Sequence, residues 1–500
     1  MEWCTIQNQI IHSINEIPYR NLDDFQQEMS DYLNRDFRLI MLDVLNPKGK
    51  NENKNKKLIA VLANDDHSNL KIATSEIKEG QNLPSLAEKY PSIAIFERIL
   101  AEEKGIKFSN HPYLKPVREI DFPFNYPSSK ELHQVGVGPV HAGIIEPGHF
   151  RFTCEGEKVI SLEISLGYQK RGVKKILLKY LKEKQPLTKI FALIESIAGD
   201  SSIAYSHLFS LIIESLANIY PDKRDLAIRG IFSEMERIAM HIADLSAIAN
   251  DVAYLSTSSF LQALRTKVIN NLLNICGSRF GRNYIGIGTN RYDFDDKIIE
   301  NLRKNLLEIR DSFINICDDF FSNSMIVARL ENTSILTKED AKLLGQVGIS
   351  AKASGLPIDS RSNHPYGIYR HFPIYPYTIK NGDVYSRAFI RYIEVQQSIK
   401  FILEVLEYFP IKERFDWSKP LIEMPELAKN SFCINMVEGF RGEITSFVMT
   451  DIDGNVSDIN IIDPSVHNWY GLSVAMKNSA ISDFPVTNKS FNLSYCGHDL

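Results

Sequence analysis

The sequence predicts an α+β protein: a small α+β domain over residues 1–125, then a mainly helical bundle with short β-hairpins over 126–500. Three observations predict this. Residues 37–45 and 58–63 are short, strongly apolar runs flanking a polar loop, as two strands of one sheet would be. From Gly172 onward apolar residues recur at helical spacing over 174–184, 186–217, 224–250, 260–275, 297–321 and 387–408. Between these regions, and again near the end of the sequence, short stretches alternate apolar and polar residues.

Each element follows from local chemistry. The stretch 48–57 is rich in Lys and Asn and cannot bury a face, so it reads as a solvated hairpin loop, with a functional basic patch as the alternative. Residues 150–153 and 159–165 alternate around the turn-prone Glu155-Gly156-Glu157. The long helical segments are joined by short polar turns, the pattern of a bundle, and Asn381-Gly382 precedes the last of them. Residues 442–451 alternate before the turn at Asp453-Gly454 and add a further strand pair.

Composition narrows the function. The 500 residues leave room for two or three domains. A formal net charge of -5 lacks the basic excess of nucleic-acid binders. The most apolar region, 190–220, is interrupted by Glu195, Asp200 and Glu214, which would be costly in lipid. Met1-Glu2-Trp3-Cys4 lacks a basic segment followed by an apolar run, so the expected place is the cytoplasm, or the cytoplasmic face of a membrane as part of a complex. Cys4, Cys154, Cys276, Cys317, Cys433 and Cys496 are scattered singly, with no Cys-x-x-Cys spacing, and read as free, mostly buried thiols. No Gly-x-Gly-x-x-Gly follows a strand, so a dinucleotide, if used, would bind elsewhere.

The chemistry-bearing residues sit in a series of motifs. Gly138-Pro139-Val140-His141 and Glu146-Pro147-Gly148-His149-Phe150-Arg151 put two histidines in one hairpin. A neutral imidazole can donate a hydrogen bond and then a proton, although two histidines can equally pin a turn. Then come Gly167-Tyr168-Gln169-Lys170-Arg171-Gly172-Val173-Lys174, Ile197-Ala198-Gly199-Asp200-Ser201 within the apolar helical stretch, and Glu234-Met235-Glu236-Arg237 with His241. Further on are Arg279-Phe280-Gly281-Arg282, Ala353-Ser354-Gly355, Asp359-Ser360-Arg361 and His364-Pro365-Tyr366. Gly382-Asp383 with Arg387, Arg391 and Glu394, Glu438-Gly439-Phe440-Arg441-Gly442-Glu443, and Asp463-Pro464-Ser465-Val466-His467-Asn468-Trp469 complete the series.

From residue 138 onward this order resembles the large subunit of energy-converting group 4 NiFe hydrogenases and its homologue, the 49 kDa quinone-site subunit of complex I. Pro91-Ser92-Ile93-Ala94-Ile95-Phe96-Glu97-Arg98, Gly105-Ile106 and His111-Pro112-Tyr113-Leu114 resemble the end of the complex I 30 kDa subunit. The resemblance implies a fusion: a 30 kDa-like α+β domain over 1–125, and over 126–500 a 49 kDa-like domain with the fold of hydrogenase large subunits.

In the hydrogenases two Cys-x-x-Cys pairs hold nickel and iron; the corresponding positions here are Ala198, Ser201, Ser465 and Asn468. Soft thiolates are required for that centre, so no metal is expected and hydrogenase activity is not expected. The family histidine and glutamate of the Gly-Tyr segment are Lys170 and Lys174. The histidine near the partner's cluster is Gly281, and the arginine before the first pair is Ser196. A buried lysine titrates only after a large downward pKa shift, and a solvated helix face is the simpler alternative for Lys174.

By resemblance the chain is a subunit of a respiratory-type, membrane-associated oxidoreductase complex of the NADH:quinone or membrane-bound hydrogenase kind. His141, His149, Asp200 and Ser201 are its candidate catalytic groups, and Tyr205, Ser465, His467 and Asn468 the lining of a quinone-like or proton-coupling cavity. Glu236, Arg237, Asp359, Arg361, Arg387, Arg391 and Glu394 are expected in core ion pairs and in the interface with the small subunit. No cofactor is expected on this chain. Quinone is the expected ligand, a 4Fe-4S cluster is expected in an iron-sulfur small subunit, and antiporter-like membrane subunits are the other expected partners. The alternative is a non-redox scaffold that couples conformational change to ion transport.

Overall fold

A computed structural model describes residues 2–45, 55–127, 129, 131–141, 145–408 and 420–500. Most of the expected basic loop at 48–57 lies outside these residues, and Lys56 and Lys57 already open a strand. The N-terminal sheet has the order β1 (Cys4–Ile6), β5 (Asn69–Ile77), β4 (Lys56–Asn64), β3 (Arg38–Leu45), all antiparallel. Helix α1 (Leu22–Leu33) packs on it, its N-terminus capped by Asn21, whose side chain accepts from Asp24 N. Helix α2 (Pro91–Lys104) starts with proline in its first turn and stops at Gly105 in the left-handed conformation. Short parallel strands β6 (Asn82–Pro84) and β7 (Lys107–Ser109) flank it.

The larger region opens with an antiparallel sheet of β8 (His133–Val137), β9 (His149–Glu155) and β10 (Lys158–Ser165), in the order β10-β9-β8. Helices follow: α3 (Val173–Lys182), α4 (Leu187–Ile194), α5 (Ser202–Ala217), α6 (Lys223–Asp251), α7 (Leu255–Cys276), α8 (Asp296–Ser322) and α9 (Ser324–Leu330). The short α10 (Lys338–Leu343), α11 (Gly348–Ala353) and α12 (Ser360–Asn363) lead to α13 (Val384–Tyr408). Strands β11 (Ser431–Gly439), β12 (Gly442–Thr450) and β13 (Val456–Ile462) precede α14 (Pro464–Met476), α15 (Phe484–Phe491) and α16 (Tyr495–His498).

One sheet joins the two regions. Its order is β13-β12-β11-β2, where β2 (Ile11–Ser13) comes from the start of the chain and pairs Ser13 with Ser431. Strands β11 and β12 are buried along their whole length, so their alternation is between two apolar layers and not between core and solvent. Cys433, Val437, Ile444 and Val448 join the helical core, and Phe432, Ile434, Met436, Phe447 and Met449 join the core of the N-terminal region. Each such side chain, fully buried, contributes roughly 1.5–3 kcal/mol.

The long helices stand where the sequence puts them, with one correction. The stretch expected as a single helix over 186–217 is broken into α4 and α5, and 195–201 is not helical. The break is made by long-range partners. Arg171 donates to the carbonyls of Ser196 and Ile197 at 2.8 and 2.7 Å, Glu195 accepts from Asn283 N at 2.7 Å, and Glu236 caps α5 by accepting from Ile203 N and Ala204 N at 2.7 and 3.1 Å. Both helices are apolar on most faces, so periodicity alone runs through the break.

Candidate functional site

The emptied thiolate segments come together across the α4–α5 break and the start of α14. Arg441, in the turn between β11 and β12, grips Asp200 with two bonds of 2.8 and 2.7 Å and reaches Ser201 Oγ at 3.4 Å. That guanidinium holds the Asp200 carboxyl below its ordinary pKa against the opposing effect of burial, which is the larger single cause. Tyr205 donates its hydroxyl to Asp463, and burial followed by this carboxylate pushes the phenol well above its ordinary value. Asp463 Oδ1 accepts from Ser465 N at 2.7 Å and so caps α14.

The remaining groups expected to line a cavity are bonded within the protein. Ser465 Oγ accepts from Ser494 N at 2.8 Å. Asn468 exchanges two 3.0 Å bonds with the backbone of Val347. The His467 ring meets the Phe96 ring edge-on at 5.6 Å, and burial pushes its pKa down to about 4, so it is neutral. The four thiolate positions therefore offer one methyl, two hydroxyls and one carboxamide, with both the Ser465 hydroxyl and the Asn468 amide already holding backbone groups. This donor set does not suit nickel and iron.

The histidine hairpin is different. His141 Nε2 bonds the Gly148 carbonyl at 2.8 Å and ties the hairpin closed. A Cβ on Gly148 would lie 2.5 Å from the Tyr495 ring, so only glycine lets the hairpin press on α16. His149 opens β9 opposite Ser165, with the Phe124 ring 5.0 Å away. Its Nε2 is buried and has no hydrogen-bond partner among the described residues. Burial, with Arg151, His141 and Lys115 nearby, lowers its pKa, so the ring is neutral at pH 7.

On the opposite face of β9, around Phe150, two more polar atoms lack a partner among the described residues: Trp469 Nε1 and the Tyr495 hydroxyl, which has Asn488 nearby but meets no partner at bonding geometry. The Trp469 and Tyr495 rings are 4.9 Å apart, and both face Phe150, the residue after His149. Exposed apolar side chains surround the hairpin and the segment before it, among them Ile120, Phe122, Tyr126 and Val140, the last 84% exposed.

Beneath the site lies a buried ion network. Arg361 pairs with Asp359 at 2.7 Å and with Glu234 at 3.0 Å; Arg237 bonds Glu234 at 3.1 Å and Glu394 at 3.3 Å. His241 lies 2.9 Å from Glu394, and Lys352 lies 2.5 Å from Glu394 and 3.0 Å from Asp359. Arg391 pairs with Asp244 at 2.9 Å, while Arg387 holds Ser490 Oγ and the carbonyls of Gly382 and Ser334. Of the groups expected in ion pairs, Arg237, Asp359, Arg361, Arg391 and Glu394 make them and Arg387 takes no carboxylate; Arg387, Arg391 and Glu394, expected also at a subunit contact, are buried inside this chain, facing α6 and α15. Glu236 takes no arginine and serves as the cap of α5.

The Gly167–Lys174 segment is tied to the end of the chain, because the Asp499 carboxylate accepts from Gly167 N at 2.8 Å and Gln169 N at 2.9 Å. Lys170 is largely exposed and 3.4 Å from Glu102. Lys174 is not on a solvated face: it donates to Asn460 at 3.3 Å, and burial, followed by Arg118, lowers its pKa to about 8. Gly281 has a positive φ and leaves no room for a histidine, since even a Cβ would lie 2.6 Å from Ile203.

Sequence reasoning assigned no role to Asp463, Trp469, Tyr495 or Glu438. Asp463 carried a signal, an Asp-Pro pair at a helix start. Trp469 lies four residues after Ser465 and shares its helix face.

Residues 251–499 match the family described as Respiratory-chain NADH dehydrogenase, 49 Kd subunit. The chain is 28% identical over 371 residues to the alpha subunit of the membrane-bound hydrogenase of Pyrococcus furiosus, covering 72% of this chain and 85% of that protein. It is 29% identical over 360 residues to an NADH-quinone oxidoreductase subunit of Clostridium beijerinckii, covering 71% and 94%. It is 26% identical over 413 residues to an NADH-quinone oxidoreductase subunit of Bacteroides fragilis, covering 74% and 76%. Among solved structures, an archaeal membrane-bound sulfane sulfur reductase complex contains a chain of similar fold. The TM-score is 0.65 at 20% identity, covering 75% of this chain and 100% of that one.

Proposed function

Because this chain belongs to the family of the respiratory-chain NADH dehydrogenase 49 kDa subunit, we propose that it forms, at the His149 hairpin, the quinone-type or proton-coupling site of a membrane-associated oxidoreductase complex. The observation that carries this reading is the buried, unpartnered Nε2 of a neutral His149. Buried polar atoms without partners are uncommon, and a carbonyl oxygen of a ring fitted against His149 would satisfy this one. His149 would donate its N–H to one carbonyl oxygen and pass that proton on as its other ring nitrogen takes up another, staying neutral overall, and the exposed Val140 and Phe122 would meet the apolar part of the ligand.

Reduction of a quinone to a quinol takes two electrons and two protons. No cofactor of this chain supplies the electrons in this reading; they come from a 4Fe-4S cluster in an iron-sulfur small subunit, and antiporter-like membrane subunits complete the assembly. Among the described residues no helix is long and apolar enough to cross a membrane, which fits a peripheral place on the cytoplasmic face. The emptied thiolate site does not offer soft donors, so this reading excludes hydrogen activation there.

The second reading, a non-redox scaffold coupling conformational change to ion transport, is favoured by one observation. Asp200, Ser465 and Asn468, in the emptied segments themselves, are bonded inside the protein. The purified complex separates the two. If quinone reoxidises the partner's reduced cluster and His149→Ala slows this at least tenfold, the site is redox-active. A partner without a cluster, or a cluster indifferent to quinone, would overturn that reading, and proton or sodium flux in vesicles then tests the scaffold.

A further inference from the structure

The ion network under the site does not balance. Its carboxylates are Glu234, Asp359, Glu394 and Glu438, and its fixed cations are Arg237, Lys352 and Arg361. All seven side chains are buried. His241, on the far side of Glu394, does not supply the missing charge, because burial pushes its pKa down to about 4. An uncompensated buried charge costs several kcal/mol and is relieved by taking up a proton.

The geometry indicates where the proton sits. Glu234 accepts from Arg361, Arg237, Tyr369 and Ser398, Asp359 from Arg361 and Lys352, and Glu394 pairs with Lys352, Arg237 and His241. Glu438 differs. Its Oε2 accepts one bond, from Ser360 N at 2.9 Å; its Oε1, buried like Glu394 Oε1 without a hydrogen-bond partner, lies 3.6 Å from Lys352 Nζ, where Glu394 Oε1 lies 2.5 Å from the same cation.

We propose that this network is a proton-binding site in which the Glu438 carboxyl, on β11, takes up and releases one exchangeable proton. The groups facing it are Lys352 on α11, Asp359 at the cap of α12 and Arg361 on it, Arg237 on α6, Glu443 opposite it on β12 and, through Lys352, Glu394 on α13. Burial and then Asp359 raise its affinity for the proton, and the three cations oppose this. The balance is Glu438-COOH to Glu438-COO⁻ plus H⁺, with no electron and no other bond involved. Ser360 links the site outward: its N–H donates to Glu438 and its hydroxyl to Glu443 at 3.3 Å. Glu443 holds Arg38 at 3.0 Å, and Arg38 holds Asp65, whose side chain is 17% exposed. These bonds tie the Glu438 carboxyl to the N-terminal region.

The inference rests on the proton-coupling part of the proposed function, and its test needs no electron transfer. In infrared difference spectra of the full chain titrated from about pH 5 to about pH 10, the protonated carboxyl of Glu438 gives a C=O band that shifts in D₂O and disappears as pH rises. Glu438→Gln is expected to remove that band, and Glu236→Gln, at the α5 cap, to leave it. A band unchanged in Glu438→Gln would overturn the proposal. If Glu438→Gln fails to fold by circular dichroism, Lys352→Met serves instead: losing the facing cation is expected to move the band's midpoint at least one unit upward, and no movement overturns the proposal. A normal titration in a complex that does not respond to quinone would leave this site standing while removing the quinone reading.

Discussion

The Tyr205 hydroxyl donates to the Asp463 carboxylate, which also caps α14, so one buried bond ties the first emptied thiolate segment to the second. Tyr205→Phe leaves Asp463 Oδ2 short of a donor at a buried site. Stability is expected to fall by about 1–3 kcal/mol in urea unfolding, with the slope unchanged.

Glu234 is the deepest carboxylate of the ion network and holds two arginines at once. Glu234→Gln takes from Arg361 and Arg237 a buried charged partner they share, leaving them Asp359 and Glu394 alone. The expected loss is about 3–5 kcal/mol, against less than about 1 kcal/mol for the exposed Lys400→Gln, and equal losses in the two variants would refute the assignment.

Acid should unfold the protein partly through its buried histidines. Burial lowers His241 and His467 to about 4 and His207 to about 3, from an ordinary value of 6.5. Between these values the unfolded chain binds the protons and the folded chain does not. Their contribution is therefore complete above pH 6.5 and is lost as pH falls toward 4. His467→Gln is expected to flatten the fall of stability with acid by up to about 1.4 kcal/mol per pH unit in that window.

Lys174 carries the opposite pH signature. Its folded pKa, about 8, lies below the ordinary 10.5, so at pH 7 the folded state holds an unfavourable charge that the unfolded chain holds freely. Lys174→Met should stabilise the protein by on the order of 1–3 kcal/mol at pH 7. The gain should shrink as pH rises through 8 and vanish near 10.5; a gain independent of pH would assign it to packing alone.

Gly348 supports Arg441 from behind. It has a positive φ, and a Cβ there would overlap the Arg441 carbonyl oxygen and stand 2.5 Å from Gly442 Cα, both backbone. Gly348→Ala is expected to cost at least about 2 kcal/mol and to displace the turn that holds Asp200, read as lower thermal stability than Gly80→Ala, where nothing stands within 4 Å.

The helices from α6 to α8 and α13 were legible because each keeps an apolar pattern over many turns, and α6 and α8 are capped by Asp222 and Asp295 where a start was expected. The α4–α5 break was not, because Arg171, Asn283 and Glu236 make it from outside the segment. The same limit governed the site. Types and order pointed to His141, His149 and the thiolate replacements, but whether a serine faces a ligand or a backbone amide depends on residues far along the chain, here Ser494 for Ser465 and Val347 for Asn468. The regular charges of Arg387, Arg391 and Glu394 looked like a contact surface because spacing reports a shared face and says nothing of what covers it.

Strand β2 bears on how the chain is built. Ser13 pairs with Ser431 and Gln9 N bonds Ile434 O, so the sheet between the two regions cannot be completed until β11 has left the ribosome. The early β-sheet, β1 with β3 to β5, can form first, but the apolar layer that meets β11 and β12 stays open until those strands emerge. That wait makes the interval the one in which the nascent protein is most dependent on chaperones, and the fold is committed only when β11 and β12 arrive to close it.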